Sequence, residues 1–89
     1  MLTREVTISN KLGLHARAAA KLVGVAARYG SDIMLDKDGQ RINGKSIMGV
    51  MMLAASRGTV LQLQVSGDDE EQAMHALVAL IDDKFGEGE

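Results

Sequence analysis

The sequence contains no cysteine, no proline and no tryptophan, and its aromatic side chains are limited to Tyr29 and Phe85. Without cysteine, neither a disulfide framework nor a cysteine-based metal or redox site is available. The scarcity of aromatic residues and a net charge of −2 argue against a dedicated nucleic-acid-binding protein, which would need stacking surfaces or a basic face. No apolar run approaches the roughly 20 residues that span a bilayer, so we expect no membrane insertion.

The first residues alternate in polarity as a strand does, and they lack the apolar block and cleavage site of a signal peptide. The expected location is therefore the cytoplasm. A length of 89 residues favours one domain, residues 1–89. Methionine is frequent, and three of the six methionines are Met48, Met51 and Met52. Because methionine adapts to irregular surfaces, this cluster is typical of a surface that contacts several partners.

Hydrophobic periodicity predicts seven elements in the order βαββαβα. The predicted strands cover residues 2–9, 32–36, 41–43 and 59–66, and the predicted helices cover residues 16–28, 47–55 and 69–85. Each longer strand has one apolar face and one polar face. This pattern predicts an α+β open-faced sandwich, in which a four-stranded antiparallel sheet is covered on one face by three helices.

Turn and capping residues mark several boundaries between these elements. Asp38-Gly39 favours a tight hairpin turn, because both residues tolerate positive φ angles. Gly30 is placed to end the first helix, and Ser46 is placed to cap the second. Asp68 and Glu71 have the spacing of a capping box for the third helix. The glycine-containing residues 86–89 are expected to fray.

His15 follows a glycine loop and precedes an alanine-rich helix, so it occupies the capping position. The backbone N–H groups of Ala16, Arg17 and Ala18 lie in the first helical turn, where amides have no helical partner and the helix dipole favours anions. The planar guanidinium of Arg17 suits phosphate oxygens. A neutral histidine ring is a competent nucleophile, and phosphoryl transfer needs mainly positioning and charge stabilisation. This constellation indicates a site for transfer of a phosphoryl group.

The segment Gly13-Leu14-His15-Ala16-Arg17-Ala18-Ala19 resembles the active-site motif of the HPr family, the histidine phosphocarriers of the bacterial phosphotransferase system. The resemblance implies that His15 carries the phosphoryl group on Nδ1 with the help of Arg17. It further implies enzyme I as the donor, enzyme II A components as acceptors, and phosphoenolpyruvate as the ultimate source, with no cofactor. The protein would then be a stoichiometric carrier rather than an enzyme, and we expect a monomer. The family usually has proline at the position of Ala18, and its absence should loosen the first helical turn slightly.

The segment Asn43–Met51 resembles the second HPr motif, in which a dedicated HPr kinase/phosphorylase modifies the serine of many members. Ser46 is the matching residue. Its role as a helix cap is compatible with modification, because a helix N-terminus tolerates a phosphate group. Such a phosphate would add a charge of about −2 beside the surface that contacts partners.

The second helix is too short to bury all of its apolar side chains. Val50 and Leu53 are expected to lie in the core. The resemblance implies a partner-docking surface at the start of this helix and on the neighbouring first helix, which we call the docking patch: Ala20, Ile47, Met48 and Met51.

Two alternatives stay open. The chain could be a regulatory phosphocarrier of the nitrogen-related branch, although Lys45-Ser46-Ile47-Met48 looks more like HPr proper. In a different class, it could be a small binding module in which His15 is incidental. An RNA-binding module of similar element order is disfavoured, because no predicted strand contains an aromatic residue. His75 falls outside the apolar stripe of the third helix and is predicted to lie on the surface, so no metal site is expected.

Overall fold

Four strands and three helices alternate along the chain in the predicted order βαββαβα. The computed structural model describes all residues, 1–89. None of its helices is both long enough and apolar enough to cross a membrane. The elements are β1 (Leu2–Thr7), α1 (Ala16–Ala26), β2 (Asp32–Lys37), β3 (Gln40–Asn43), α2 (Ile47–Met52), β4 (Val60–Ser66) and α3 (Glu70–Asp82), followed by a short 3-10 turn at Lys84–Gly86.

The strands form one antiparallel sheet in the order β1-β4-β2-β3. The central strand β4 shows most clearly how the sequence sets the two faces. Leu61, Leu63 and Val65 are completely buried, whereas the intervening Gln62 and Gln64 are partly exposed on the other face. Period-two alternation therefore separates a core face from an open face, which confirms the predicted open-faced sandwich.

The core lies between the buried face of the sheet and the helices. It contains 21 buried apolar residues. The predicted core residues of α2, Val50 and Leu53, belong to it. Only Asn10 and Ser31 are buried among the polar residues, and both lie in loops and form hydrogen bonds to distant residues, Glu87 and Asp69 respectively.

The hairpin between β2 and β3 is confirmed, with positive φ angles of 51° at Asp38 and 87° at Gly39. The predicted end of the first helix was wrong: α1 ends at Ala26 and Ala27 caps it in a right-handed conformation, so Gly30 lies in the following turn. The chain turns earlier because it must reach β2 at Asp32.

The predicted capping box of α3 was also wrong. Asp69, not Asp68, occupies the capping position, and its side chain makes no bond to its own helix. Instead, its carboxylate accepts hydrogen bonds from the Gly30 amide at 2.9 Å, the Ser31 amide at 3.0 Å and the Ser31 hydroxyl at 2.5 Å. Asp69 therefore joins the start of α3 to the turn between α1 and β2. The Ser31 hydroxyl, followed by the Gly30 amide, holds the pKa of this carboxyl below its ordinary value.

We expect the hydrogen bonds from Gly30 and Ser31 to the Asp69 carboxylate to make the stability of the fold decrease in acid. Because the pKa of Asp69 is lower in the folded protein, its charge stabilises the fold above the ordinary value of 3.8, and the contribution is lost as the pH falls through the lower folded value. Urea unfolding from about pH 7 to about pH 2 measures the free energy of unfolding of both proteins. It should be clearly larger for wild type than for Asp69→Asn at neutral pH, and the two values should converge in acid. The control is Asp68→Asn, which removes an exposed neighbouring carboxylate. A gap between wild type and Asp69→Asn that stays constant into acid would contradict the prediction.

The third helix ends at Asp82, earlier than its apolar pattern predicts. Lys84 and Phe85 adopt left-handed φ angles of 54° and 55°, which cannot continue an α-helix. This reversal turns Phe85 into the core, where it is completely buried. It also directs residues 86–89 back toward the start of α1, rather than leaving them free as expected for a frayed tail.

Candidate functional site

His15 is the capping residue of α1, with extended backbone angles (φ −72°, ψ 176°). The loop before it is fixed by Gly13, whose φ is +68° and whose position would place any Cβ 2.5 Å from the carbonyl oxygen of Ala55. The Leu14 amide donates to that same carbonyl at 2.8 Å. Only glycine fits this close approach, so Gly13 determines where His15 leaves the loop and enters the helix.

The two ring nitrogens of His15 have different partners. Nδ1 accepts a hydrogen bond from the Arg17 amide at 3.2 Å, and Nε2 faces the carboxylate of Glu87. A nitrogen that accepts from an amide presents its lone pair, and a nitrogen beside a carboxylate carries the proton. The neutral ring is therefore the tautomer with its lone pair at Nδ1, directed at the N-terminal end of α1, which we call the mouth of the helix. The side chain is 29% exposed, so another protein can reach it.

The mouth of α1 offers donors without partners. The amides of Ala16 and Ala18 have no acceptor within the protein, and the Arg17 amide bonds only to the His15 ring. The Arg17 guanidinium is exposed and makes no hydrogen bond or ion pair. Ala18 is completely buried, and α1 begins at Ala16 without the help of proline. These groups are the ones that the sequence predicts for holding a phosphoryl group.

A cleft of about 390 Å³ surrounds the ring. It is lined by the cations Lys11, Arg17 and Lys21, by Leu12, and by residues of the segment 86–89. Lys21 donates to the carbonyl of Phe85 at 2.6 Å, and Lys11 lies 4.0 Å from the carboxylate of Glu89. Arg17 is thus the one cation of the cleft that has no partner in the protein, which suits it to an incoming anion.

Sequence reasoning missed Glu87 and Asn10. Asn10 is completely buried, and its amide donates to the Gly13 carbonyl at 2.7 Å and to Glu87 at 2.9 Å. The Asn10 amide, and then the His15 ring, hold the pKa of Glu87 below its ordinary value, so this carboxylate is charged at neutral pH. No periodicity or motif points to a pairing between residues so far apart in the sequence, and only the reversal at Phe85 brings Glu87 to the ring.

Ser46 caps α2 as predicted, since its hydroxyl accepts a hydrogen bond from the Gly49 amide at 3.1 Å.

The docking patch is exposed. Met48 is 75% exposed, Ile47 45% and Met51 43%, and Ala20 is exposed on α1, which packs against α2. Met52 on α2 and Leu12 at the rim of the cleft are further exposed apolar residues that the sequence did not assign. The histidine, the serine and the apolar surface are thus all accessible to partners.

Outside the cleft around His15, the molecule has few groups that could form a functional site. His75 is exposed on α3, as predicted. No group of three or more histidine, aspartate or glutamate side chains is placed to hold a metal ion. A second concavity, of about 490 Å³, lies on the open face of the sheet between Met1 and Arg41, and it contains neither histidine nor Ser46. The chemistry of the molecule is therefore concentrated at the mouth of α1.

Comparison with known proteins bears on this site directly. Residues 2–83 match the family model described as the PTS HPr component phosphorylation site. The chain is 54% identical to the phosphocarrier protein HPr of Cupriavidus necator, with all of both chains covered. It is 56% identical to the phosphocarrier protein HPr of Pseudomonas aeruginosa, with 96% of both covered.

Solved structures agree with the sequence relatives. A crystal structure of HPr from Thermoanaerobacter tengcongensis superposes with a TM-score of 0.95 at 50% identity and covers 98% of both chains. A crystal structure of an HPr dimer from the same organism superposes with a TM-score of 0.79 at 52% identity, covering 92% of this chain and 94% of that one.

Proposed function

Because the chain belongs to the HPr family, the phosphocarriers of the phosphotransferase system, we propose that His15 receives the phosphoryl group from phospho-enzyme I and passes it to an enzyme II A component. The transfer would serve sugar uptake or its regulation. The observation that carries this proposal is the lone pair of Nδ1 at the mouth of α1, beside unpartnered amides and the free guanidinium of Arg17.

The geometry supports a simple displacement. The Nδ1 lone pair attacks phosphorus, the Nδ1–P bond forms, and the bond between phosphorus and the donor atom of enzyme I breaks with its electron pair left on that atom. The Arg17 amide, released from Nδ1, joins the amides of Ala16 and Ala18 as a donor to the phosphoryl oxygens, and the Arg17 guanidinium neutralises their charge. The same contacts are open to solvent, so the group can leave again for an acceptor.

Under this proposal the protein acts as a stoichiometric carrier rather than an enzyme. It needs no cofactor, because the phosphoryl group originates in phosphoenolpyruvate. Residues 1–89 work as a single domain. It meets its partners in the cytoplasm as a monomer, through the docking patch. The exposure of Met48 and its neighbours on α2, which packs against α1, supports the docking role.

Incubation with enzyme I and phosphoenolpyruvate tests the function. We expect one acid-labile phosphate per chain, since phosphohistidine is the proposed product, and we expect it to be lost on addition of an enzyme II A component. Mass spectrometry of the intact protein counts the phosphate, and a control lacking enzyme I should remain unlabelled. A protein that stays unmodified with active enzyme I would contradict the proposal.

We further propose that Ser46 is a regulatory phosphorylation site for an HPr kinase/phosphorylase. Its hydroxyl is half-buried at the start of α2, next to the exposed Ile47 and Met48. A phosphate there would place about two negative charges at the edge of the docking patch while remaining compatible with the N-terminus of the helix.

Kinase treatment with ATP is expected to label Ser46 with acid-stable phosphate. Peptide mapping by mass spectrometry identifies the residue, and Ser46→Ala should abolish the label while circular dichroism shows an intact fold. The matched control is Ser56→Ala, which removes an exposed serine beyond α2 and should leave labelling unchanged. Labelling of another residue, or none by an active kinase, would remove Ser46 from the proposal.

A further inference from the structure

Three side chains link the buried interior to the reactive ring. Asn10 is completely buried and donates to Oε1 of Glu87, while Oε2 of Glu87 contacts Nε2 of His15. The Glu87 side chain is 17% exposed, so most of its contact is with protein rather than water. Each oxygen of one carboxylate therefore has its own partner, one fixed in the core and one on the ring.

The segment that carries Glu87 is itself held in place. Phe85 is completely buried, Lys21 donates to its carbonyl, and the Lys11 amide donates to the Glu89 carbonyl at 2.8 Å. Gly86 and Gly88 have φ angles of 75° and 76°, which suit glycine and allow the chain to fold back over the ring. Glu87 thus lies between two anchored residues.

Glu87 lies outside the part of the chain that the family model matches, which ends at residue 83, whereas its partners Asn10 and His15 lie inside it. The phosphorylation-site motif around His15 therefore does not account for it. It is a second, independent contribution to the site from the opposite end of the sequence.

We propose that Glu87, anchored by Asn10, is a positioning residue that sets the ring of His15 for attack. The proposal rests on the proposed function of His15 as the phosphoryl carrier. A carboxylate that accepts from Nε2–H keeps the proton on that nitrogen and fixes the plane of the ring, which leaves the Nδ1 lone pair directed at the mouth of the helix. The arrangement resembles the carboxylate that orients the histidine of a catalytic triad.

The carboxylate also acts during the transfer. When Nδ1 forms its bond to phosphorus, the ring still holds the Nε2 proton and therefore acquires a positive charge. Glu87 faces that charge directly and stabilises it, and no proton has to leave the ring for the Nδ1–P bond to form. When the phosphoryl group departs to an acceptor, the electron pair returns to Nδ1 and the ring is neutral again.

Two variants of Glu87 separate positioning from overall fold. Glu87→Gln keeps the size of the side chain but removes its charge, and Glu87→Ala removes the contact. We expect each to lower the rate constant of phosphorylation by enzyme I about ten-fold or more, a typical effect of removing a hydrogen-bond partner that orients a functional histidine. The label should remain on His15 in both.

A readout specific to the ring accompanies the rates. At about pH 8.5, where free imidazoles are neutral, ¹H–¹⁵N NMR of wild type should show a downfield proton on Nε2. Its resonance should move upfield in Glu87→Gln, because a neutral acceptor bonds more weakly, and should be lost to solvent exchange in Glu87→Ala. Asn10→Ala should shift both readouts in the same direction where the variant folds, and the Glu87 variants decide the matter where it does not.

The matched control is Glu71→Gln, which likewise removes one negative charge, from an exposed glutamate of α3 that makes no side-chain contact and does not line the cleft. It should change the rate less than two-fold and leave the Nε2 proton in place. A wild-type rate or a wild-type Nε2 resonance in both Glu87 variants would overturn the positioning role even though His15 is phosphorylated. Absence of phosphorylation in wild type would instead overturn the proposed function itself, so the two failures are distinguishable.

Discussion

Replacing His15 by alanine is expected to abolish phosphorylation by enzyme I and phosphoenolpyruvate completely. The imidazole supplies the attacking lone pair, and we expect no other side chain of the cleft to replace it. Lys11, Arg17 and Lys21 are cations, Leu12 has no nucleophilic atom, and the carboxylates of Glu87 and Glu89 face the Asn10 amide and Lys11. The expected loss is of the acid-labile phosphate to background, measured by intact mass and by radiolabel from phosphoenolpyruvate.

The fold of this variant should survive, so the loss would report chemistry rather than unfolding. Alanine removes the ring that accepts from the Arg17 amide, and loss of a helix cap costs about 1 kcal/mol. His15→Asn is a second variant, because asparagine restores a capping oxygen without an imidazole, and it should be stable but equally inert.

The matched control is His75→Ala, which removes an exposed histidine from α3 and should be phosphorylated at the wild-type rate. Acid-labile phosphate on His15→Ala, or its loss in His75→Ala, would show that His15 is not the carrier residue.

The second large effect is expected for Met48→Asp, which changes the most exposed of the large side chains in the docking patch. If enzyme I docks there, a buried carboxylate in the complex would lack a partner, and the few hot-spot residues near the centre of an interface each contribute about 2 kcal/mol or more. We expect phosphorylation to slow about ten-fold or more, which corresponds to a loss of about 1.4 kcal/mol or more. Initial rates at a series of protein concentrations measure the change.

Val60→Asp provides the comparison for Met48→Asp, because Val60 is an exposed apolar residue on the open face of the sheet, away from the helices. It should transfer phosphate at the wild-type rate. Circular dichroism and thermal unfolding should show both variants folded. An unchanged rate for Met48→Asp would remove this residue from the docking patch, and equal slowing by Val60→Asp would show that added charge alone is responsible.

Features that depend on neighbouring residues could be predicted from the sequence. Alternation along β4 predicted its buried face, and Asp38-Gly39 predicted the hairpin. The positions of His15 and Ser46 predicted where α1 and α2 begin. In each case the physical cause acts within a few residues, through period, turn geometry or an unpartnered amide.

What could not be predicted depends on residues distant in the sequence. The residue type and position of Asp69 suit a helix cap, yet its carboxylate accepts hydrogen bonds from Gly30 and Ser31. Only the packed structure brings these residues close to Asp69. Likewise, the contact between Glu87 and His15 requires the reversal at Phe85, which has left-handed backbone angles and a buried ring. Local preference indicates where an element begins, but tertiary packing decides which partner a polar side chain finds.

The hydrogen bond from the Arg17 amide to Nδ1 means that the first turn of α1 is capped by the same electron pair that, under the proposed function, would bond to phosphorus. Capping of the helix and binding of the phosphoryl group would therefore compete for a single atom. A phosphoryl group on Nδ1 would displace the Arg17 amide from the ring and offer it phosphoryl oxygens as new acceptors. The first turn of α1 would then be capped in both states, with different acceptors and without rearrangement of the core.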